Sequence, residues 1–323
     1  IVDFDSSYDS TDSLFPRPPS KDMQSRFQLS LDNAREMLQL VQERGAQFEP
    51  IGSAQGWSPN SYHAAVQALA AMGYTYIAIG GVAKAPDRVI LSILDAIRDT
   101  VVQGHIRLHI LGVARLGLLE VYQQTNVVSC DSAATLMQAF KSNTANYHMP
   151  DQENYTCIRI PPVGKGTNLD PSPKLHKVLK PLKEACLVAE KDAKAHPQNE
   201  DLKQKVRVHK AALEEKYKML FDLEQQALAS VRAYAEEKIS LEQTMEDVVR
   251  YEEEFEQNSK FQELFKKTLE DRPWNKCVCD ICQQIGIEVV IMRGNNRNRR
   301  RGFHNTYIFY QEFKRQVGQM DAS

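Results

Sequence analysis

The sequence of 323 residues lacks the long apolar runs of a membrane protein. A membrane-spanning helix needs about 20 consecutive apolar residues, and no stretch of this chain approaches that length. No signal-peptide pattern opens the sequence. Six cysteines are too few for a disulfide framework in a chain this long. These absences predict a soluble, cytoplasmic protein with no membrane partner.

An excess of charge of one sign is also missing, because 40 Lys and Arg residues stand against 42 Asp and Glu residues, a formal charge of −2. The composition, 42% apolar and 25% charged, is that of an ordinary globular protein with one large domain or two. Locally the charges separate. Leu241–Glu256 carries seven acids against one arginine, whereas residues 289–310 carry five arginines and no acid. Only the second segment suits contact with phosphates.

The first half of the chain alternates strand and helix patterns. The strand-like runs are Ile1–Asp5, Phe48–Ala54, Tyr74–Ile79, Ile106–Val113 and Val127–Cys130. Helical patterns separate them, and one helix has Ser58-Pro59 at its start and Gly73 at its end. This alternation predicts an α/β fold with a parallel sheet. We expect a TIM (β/α)8-type barrel, whose chemistry lies at the carboxyl ends of the strands. A doubly wound sheet is the alternative, although no GxGxxG motif follows the first strand.

Composition divides the chain into three predicted regions. They are residues 1–150, the βα units; 151–271, a linker and a long helical insertion; and 272–323, a metal-binding segment with an arginine run and a C-terminal helix. Residues 142–173 contain five prolines and predict a loop. Residues 174–270 lack glycine and predict a helical hairpin, which we expect to be solvated and to pack on the barrel or on a partner. Val289–Ile291 predicts a strand.

A cluster of cysteines gives the strongest spacing signal in the chain. Cys277, Cys279 and Cys282 form a CxCxxC motif, and His304 follows 22 residues later. Three thiolates and one imidazole are a tetrahedral Zn²⁺ ligand set, and a closed set of four predicts a structural zinc. The alternative is three buried or redox-active cysteines. An iron–sulfur cluster would more naturally use a fourth cysteine.

Short motifs at the predicted strand ends, together with this cluster, resemble the tRNA-guanine transglycosylase superfamily. The strand-end motifs are Phe4-Asp5, Gln55-Gly56, Gly80-Gly81, Leu111-Gly112-Val113 and Cys130-Asp131-Ser132. Asn305 directly after His304 and the pair Phe309-Tyr310 add to the resemblance. The match covers residues 1–140 and 272–313, and it leaves the helical insertion outside.

Within the superfamily, the sequence is more similar to the branch that inserts 7-deazaguanines into DNA than to the tRNA enzymes. The Pro-Thr-Arg that follows the nucleophile of the tRNA enzymes is absent. Ala139-Phe140, Asn146-Tyr147 and the segment from Arg293 to Asn305 resemble the DNA branch. The resemblance implies an enzyme that exchanges guanine in DNA, or alternatively in tRNA, for a free 7-deazaguanine such as 7-cyano-7-deazaguanine.

The resemblance also implies roles for individual residues. Asp131 would be the nucleophile that forms a covalent bond to the sugar, while its alternative role is that of a helix N-cap. Asp5 would accept from guanine N1–H and N2–H, although Asp3 and Asp9 compete for this role. Gln55 and Gly81 would contact O6. Gly80 would let the base approach the backbone closely, and Leu111 and Gly112 would line one face of the base. The target base must leave the duplex to reach this site.

The arginine run is a candidate nucleic-acid interface. Its members are Arg293, Arg297, Arg299, Arg300 and Arg301. A run without acids suits salt-dependent contact with phosphates. A solvated loop is the alternative.

One expected motif is absent. The family carries a second aspartate in an Asp-Ser-Gly-Gly motif on an earlier strand, and this sequence contains no such motif. The five matched strand ends correspond to the later strands of an eight-stranded barrel. We therefore expect another chain or an upstream segment to complete the barrel. Two alternative functions remain, a DNA glycosylase on the same scaffold and a non-catalytic nucleic-acid-binding subunit.

Overall fold

The computed structural model describes residues 19–150, 153–164, 173–254 and 261–321. The predicted strand at Ile1–Asp5, and with it Asp5, lies outside the described residues. The chain divides into two compact units, one from residues 1–134 and 313–323 and the other from residues 135–312. No helix in the described ranges is long and apolar enough to cross a membrane.

The first unit alternates helices and strands as the sequence predicts. Its elements are α1 (Lys21–Glu43), β1 (Gly52–Ala54), α2 (Pro59–Met72), β2 (Tyr76–Ile79), α3 (Asp87–Gln103), β3 (Arg107–Ile110), a 3₁₀ turn (Leu116–Leu118), α4 (Leu119–Gln124) and β4 (Val127–Cys130). Ser58 caps α2 in a reciprocal capping box with Ser61, and Gly73 ends the helix at φ 104°. The predicted start and end of this helix are therefore confirmed.

The four strands form one parallel sheet in the order β1-β2-β3-β4. The predicted parallel sheet is thus present, and the order of the described strands follows the chain without reversal. Ile77 and Leu108 point to the face that packs against the helices, where both are fully buried. Because side chains alternate along a strand, Tyr76, His109 and Ser129 lie on the opposite face. That face carries the polar side chains of the sheet.

The second unit combines short strands with long helices. Its elements are α5 (Ala134–Lys141), β5 (Tyr147–His148), β6 (Asn154–Tyr155), β7 (Ile158–Arg159), α6 (Pro173–Ala195), α7 (Glu200–Ala235), α8 (Leu241–Glu253), α9 (Gln262–Asp271), α10 (Pro273–Lys276), α11 (Asp280–Ile285), a 3₁₀ segment (Gly286–Val290), β8 (Ile291–Met292) and α12 (Asn295–Asp321). The strands β5 and β6 pair antiparallel, and β7 pairs with β8 in parallel.

Two local predictions in this unit were wrong. The region 142–173, predicted as a loop, contains β5, β6 and β7, whose two-residue length is too short to give a periodic pattern. The strand predicted at Val289–Ile291 begins only at Ile291, because the preceding residues form the 3₁₀ segment. Val289 and Val290 are nevertheless fully buried, which explains their strand-like composition.

The described part of residues 174–270, predicted to be an inserted helical hairpin, forms α6, α7, α8 and α9 and is partly buried. Along α7, Leu220, Ala227, Leu228 and Val231 are buried in the same apolar core as the cysteines of the CxCxxC motif. The first half of α7 is mostly exposed. The insertion is therefore solvated at one end and contributes to the core of the second unit at the other.

Candidate functional site

The strand ends of the first unit collect the residues predicted to bind the base. Gln55 directly follows β1, Gly80 and Gly81 follow β2, and Leu111 and Gly112 follow β3. Asp131 directly follows β4. Because neighbouring parallel strands end at the same edge of a sheet, these residues share one edge. The edge therefore groups every predicted base-contacting residue that the structure describes.

Gln55, Gly80 and Leu111 lie against each other at this edge. A Cβ atom added to Gly80 would lie 3.3 Å from both Cγ and Nε2 of Gln55 and 3.6 Å from Leu111 Cδ1. The Tyr62 hydroxyl donates to the Gly80 carbonyl at 2.7 Å and holds the backbone there. The Oε1 atom of Gln55 is buried and has no hydrogen-bond partner among the described residues. Such an atom is costly unless a ligand satisfies it.

Asp131 presents its carboxylate to solvent while one of its oxygens is held. Its side chain is 59% exposed. The Gly112 N–H donates to Oδ1 at 2.8 Å, and His109 Nε2 lies 3.1 Å from the same oxygen. Gly112 has φ 75°, and an added Cβ would lie 3.0 Å from the Cβ of Ala83. A glycine is therefore required for the turn that aims this N–H at the carboxylate.

The first backbone N–H of α5 donates to a neighbour of Asp131 rather than to Asp131 itself. The Ser132 hydroxyl accepts from the N–H of Ala134, the first residue of α5, at 3.1 Å. Cys130, on the other side of Asp131, is not a competing nucleophile. Burial and then the charge of Asp131 raise the pKa of its thiol, so the thiol stays protonated at neutral pH.

A line of polar groups that the sequence did not reveal leads inward from Asp131. His109 Nδ1 lies 2.6 Å from the Ser129 hydroxyl, and the Tyr76 hydroxyl lies 2.5 Å from the same Ser129 oxygen. His109 and Ser129 are paired across β3 and β4. The sequence signal that could have revealed this line is the presence of polar residues at alternate positions of otherwise apolar strands.

The CxCxxC motif and His304 meet in the second unit. All four ligand atoms lie within 4.8 Å of one another, and all four residues are buried. His304 Nδ1 is 3.6, 3.3 and 3.4 Å from the sulfur atoms of Cys277, Cys279 and Cys282. A tetrahedral ion bound at about 2.3 Å from sulfur and about 2.0 Å from nitrogen places these atoms about 3.5 Å apart. The cluster can therefore hold a metal ion.

Neighbouring groups orient the histidine of this cluster. His304 Nε2 lies 2.7 Å from the His148 carbonyl, to which it can only donate, so its Nδ1 lone pair faces the cysteines. The Tyr147 ring stacks on the imidazole with a centroid distance of 4.1 Å, and its hydroxyl lies 3.2 Å from Cys282 Sγ. The side chain of Asn305 accepts from the His148 N–H at 3.1 Å. Tyr147 therefore contacts the cluster directly, and Asn305 supports it through the backbone of His148.

The five arginines of the run differ in their surroundings: Arg293 precedes α12, and the other four lie in that helix. Arg301 is fully buried and donates to the carbonyls of Ala139 and Val289. Arg293 forms an ion pair with the buried Glu224. Arg297 pairs with Glu288, and hydrogen bonds and charge from Arg232 and Arg297 hold the pKa of that carboxyl below its usual value despite its partial burial.

Arg299 and Arg300 are exposed. They share one face of α12 with the exposed aromatic residues Phe303 and Tyr307. These two arginines are the members of the run that face solvent.

Comparison with known proteins gives one informative relative. The chain is 34% identical over 278 residues to a protein named DNA-guanine transglycosylase from Salmonella montevideo. The match covers 85% of this chain and 58% of that protein, so the chain spans less than two thirds of the relative's length. No family model matches the sequence.

Proposed function

We propose that this chain belongs to the tRNA-guanine transglycosylase superfamily, and from that premise that it exchanges guanine in DNA for a free 7-deazaguanine base such as 7-cyano-7-deazaguanine. The similarity to a DNA-guanine transglycosylase over most of the chain supports the premise and the choice of the DNA branch. The single observation that carries the proposed reaction is the exposed, oriented carboxylate of Asp131 at the carboxyl edge of a parallel sheet.

We further propose that the sheet is a segment of a TIM (β/α)8-type barrel. Four parallel strands in chain order are the arrangement that such a barrel contains. Among the described strands, β1 and β4 each pair on one side only. The outer sides of β1 and β4 therefore need neighbouring strands. Residues outside the described ranges or another chain would supply them.

In the proposed reaction, the free carboxylate oxygen of Asp131 attacks C1′ of the deoxyribose. The C1′–N9 bond breaks, its electron pair stays on N9, and the departing guanine takes up a proton. The incoming 7-deazaguanine then loses its N9 proton and attacks C1′, and the ester electron pair returns to Asp131. Two displacements at the same carbon retain the configuration.

The edge that carries Asp131 can recognise a guanine-like base. The amide nitrogen of Gln55 and the backbone N–H of Gly81 would donate to O6, and the unpartnered Oε1 of Gln55 can accept from an N–H group. Asp5, outside the described residues, would accept from N1–H and N2–H. Gly80 leaves room for the base to approach the backbone, while Leu111 and Gly112 would line one of its faces. The target base must be flipped out of the duplex to reach them.

We propose that Cys277, Cys279, Cys282 and His304 bind a structural Zn²⁺. Sulfur-rich tetrahedral sets favour zinc, and the distances above fit it. A set of four protein ligands leaves no open coordination position, so the ion would take no part in the base exchange. Its contribution would be to join α11 to α12 and to hold the arginine-bearing helix in place.

The exposed face of α12 is the proposed DNA contact. Arg299 and Arg300 would bind phosphates, and Phe303 and Tyr307 beside them can stack on unpaired bases. Arg293, Arg297 and Arg301 are held by internal partners, so their contribution would be to position the helix.

The proposal is tested by incubating duplex DNA with the protein and labelled 7-cyano-7-deazaguanine. Incorporation of label into DNA with release of guanine supports base exchange. Release of guanine with abasic sites and no incorporation would identify a glycosylase. DNA binding without either reaction would identify a non-catalytic subunit, and the same assay with tRNA checks the alternative substrate.

A further inference from the structure

We propose that His109 is a positioning residue for Asp131, and that Ser129 and Tyr76 set the tautomer of its imidazole. The inference rests on the proposed function, since it assigns Asp131 the role of nucleophile. It adds three residues that neither the sequence motifs nor the similarity to the DNA enzyme assigns.

The hydrogen bonds along this line have a consistent direction. The Asp131 carboxylate can only accept, so the Nε2 of a neutral His109 donates and its Nδ1 accepts. Ser129 then donates to Nδ1 at 2.6 Å, and Tyr76 donates to Ser129 at 2.5 Å. The Ser129 hydroxyl thus donates one hydrogen bond, to His109, and accepts one, from Tyr76. The Ser129 and Tyr76 hydroxyls can therefore take the orientations that the Asp131-holding tautomer needs.

Two N–H groups converge on one oxygen of Asp131 and leave the other free. Gly112 N–H and His109 Nε2 both lie within hydrogen-bond distance of Oδ1. A carboxylate held at one oxygen by two donors has little freedom to rotate about its bonds. The free oxygen is thereby aimed, and a misplacement of about 1 Å in a reacting group can cost about 100-fold in rate.

Asp, His and Ser also form the catalytic triads of serine hydrolases, but here the carboxylate rather than the hydroxyl is the exposed end. In a serine triad the carboxylate is buried and the hydroxyl faces the substrate. Here the Asp131 side chain is 59% exposed and His109 is 19% exposed, while Ser129 and Tyr76 are partly buried. The group available to a substrate is the carboxylate. Ser129 therefore serves the histidine rather than receiving help from it.

Two conservative substitutions separate the two halves of the line. In His109→Gln, the amide nitrogen can take the place of Nε2 and still donate to Asp131, while the contact with Ser129 is lost. In His109→Asn, the shorter amide can keep the contact with Ser129 but cannot reach Asp131. We expect His109→Gln to stay within about threefold of the wild-type kcat, and His109→Asn to lose about 30- to 100-fold, with KM for the free base unchanged in both.

Ser129→Ala should slow exchange by about threefold to tenfold in the wild-type background, because the tautomer is then no longer fixed. It should have no further effect in His109→Gln, whose amide has no tautomer to set. His63→Ala is the matched control, since His63 contacts Thr100 between two helices of the same unit. Equal activities of the Gln and Asn variants, or additive effects of Ser129→Ala and His109→Gln, would overturn the proposal.

A spectroscopic measurement separates this inference from the proposed function. In ¹⁵N-histidine-labelled protein, we expect His109 to be in the Nε2–H tautomer and to respond to both Asp131→Ala and Ser129→Ala. An Nδ1–H tautomer would overturn the inference whatever the enzyme does. If the wild-type protein exchanges no base while His109 shows the expected tautomer and both responses, the proposed function fails and the hydrogen-bonded line stands.

Discussion

The two clusters of functional side chains in this molecule are built in opposite ways. At the sheet edge of the first unit, Asp131 is exposed and only one of its carboxylate oxygens is held. In the second unit, the three cysteines and His304 are buried and face one another, and His304 is fixed from behind by His148. The first arrangement leaves one carboxylate oxygen free to react. In the second, all four candidate ligand atoms face one another inside the protein.

This difference is the one expected between the proposed site for chemistry and the proposed site for a structural metal. A reacting group must be reachable by a substrate and held in one direction. A structural metal site must be closed, because ligands exchange less readily when water is excluded. Substitutions at the metal cluster should therefore lower stability, and substitutions at the carboxylate should lower activity.

Removal of the proposed metal should have the largest effect. Cys279→Ser, or chelation of the wild-type protein, should lower the free energy of unfolding of the second unit by about 5 kcal/mol or more, because the binding free energy of structural zinc is folding free energy. Metal analysis and thermal unfolding measure this. Cys186→Ser, which changes a buried cysteine outside the cluster, should keep one zinc per chain. Stoichiometric zinc in Cys279→Ser would contradict the assignment.

Substitution of the proposed nucleophile should abolish activity and leave the fold intact. Asp131→Asn keeps an oxygen for Gly112 and His109 but removes the nucleophilic carboxylate, so exchange should fall by at least about 1,000-fold. The melting temperature should stay within about 2 °C because the side chain is exposed. Labelled-base incorporation and calorimetry are the measurements, with Asp95→Asn on the surface of α3 as the control. Residual exchange above one tenth of the wild-type rate would exclude Asp131 as the nucleophile.

Within the arginine run, Arg301 should matter for stability rather than for DNA. Arg301→Met leaves the Ala139 and Val289 carbonyls without their donor, which should cost about 2–4 kcal/mol. Denaturant unfolding of Arg301→Met beside Arg300→Met measures the contrast, and the Arg300 variant should match the wild type. Equal stability of the two variants would show that burial of Arg301 contributes nothing.

The exposed arginines should show the smallest effect. Replacing Arg299 and Arg300 by Gln should weaken DNA binding several-fold and reduce the slope of log K against log salt by about 2, since each lost phosphate contact removes about 0.9. Titrations at several salt concentrations measure the slope. An unchanged slope would place the DNA contact elsewhere. The matched variant Arg35→Gln, on α1, should leave the slope unaltered.

Sequence reasoning anticipated the features that depend on local spacing. The alternation of strands and helices, the capped helix α2 and the CxCxxC–His set were all readable from the chain, because each follows from periodicity or ligand spacing. Roles that depend on helical phase were not. Arg301 lies three residues before His304, and once α12 is known to be a helix the two share its buried face.

Contacts between strands were also beyond a single sequence. His109 and Ser129 are 20 residues apart and meet only through the register of β3 and β4. The bulge between Leu108 and His109 in that register has no sequence signature of its own. The roles of His148 and Tyr147 at the metal cluster depend in the same way on contacts over more than 130 positions.

The central claim, that the exposed carboxylate is the nucleophile, can be tested by trapping the protein on DNA. Protein mixed with DNA, without the incoming base, is quenched in denaturant and digested, and the peptides are analysed by mass spectrometry. The account predicts a deoxyribose ester on the peptide that contains Asp131 and no such ester in Asp131→Asn. An ester on a different residue, or guanine release without any ester, would contradict it.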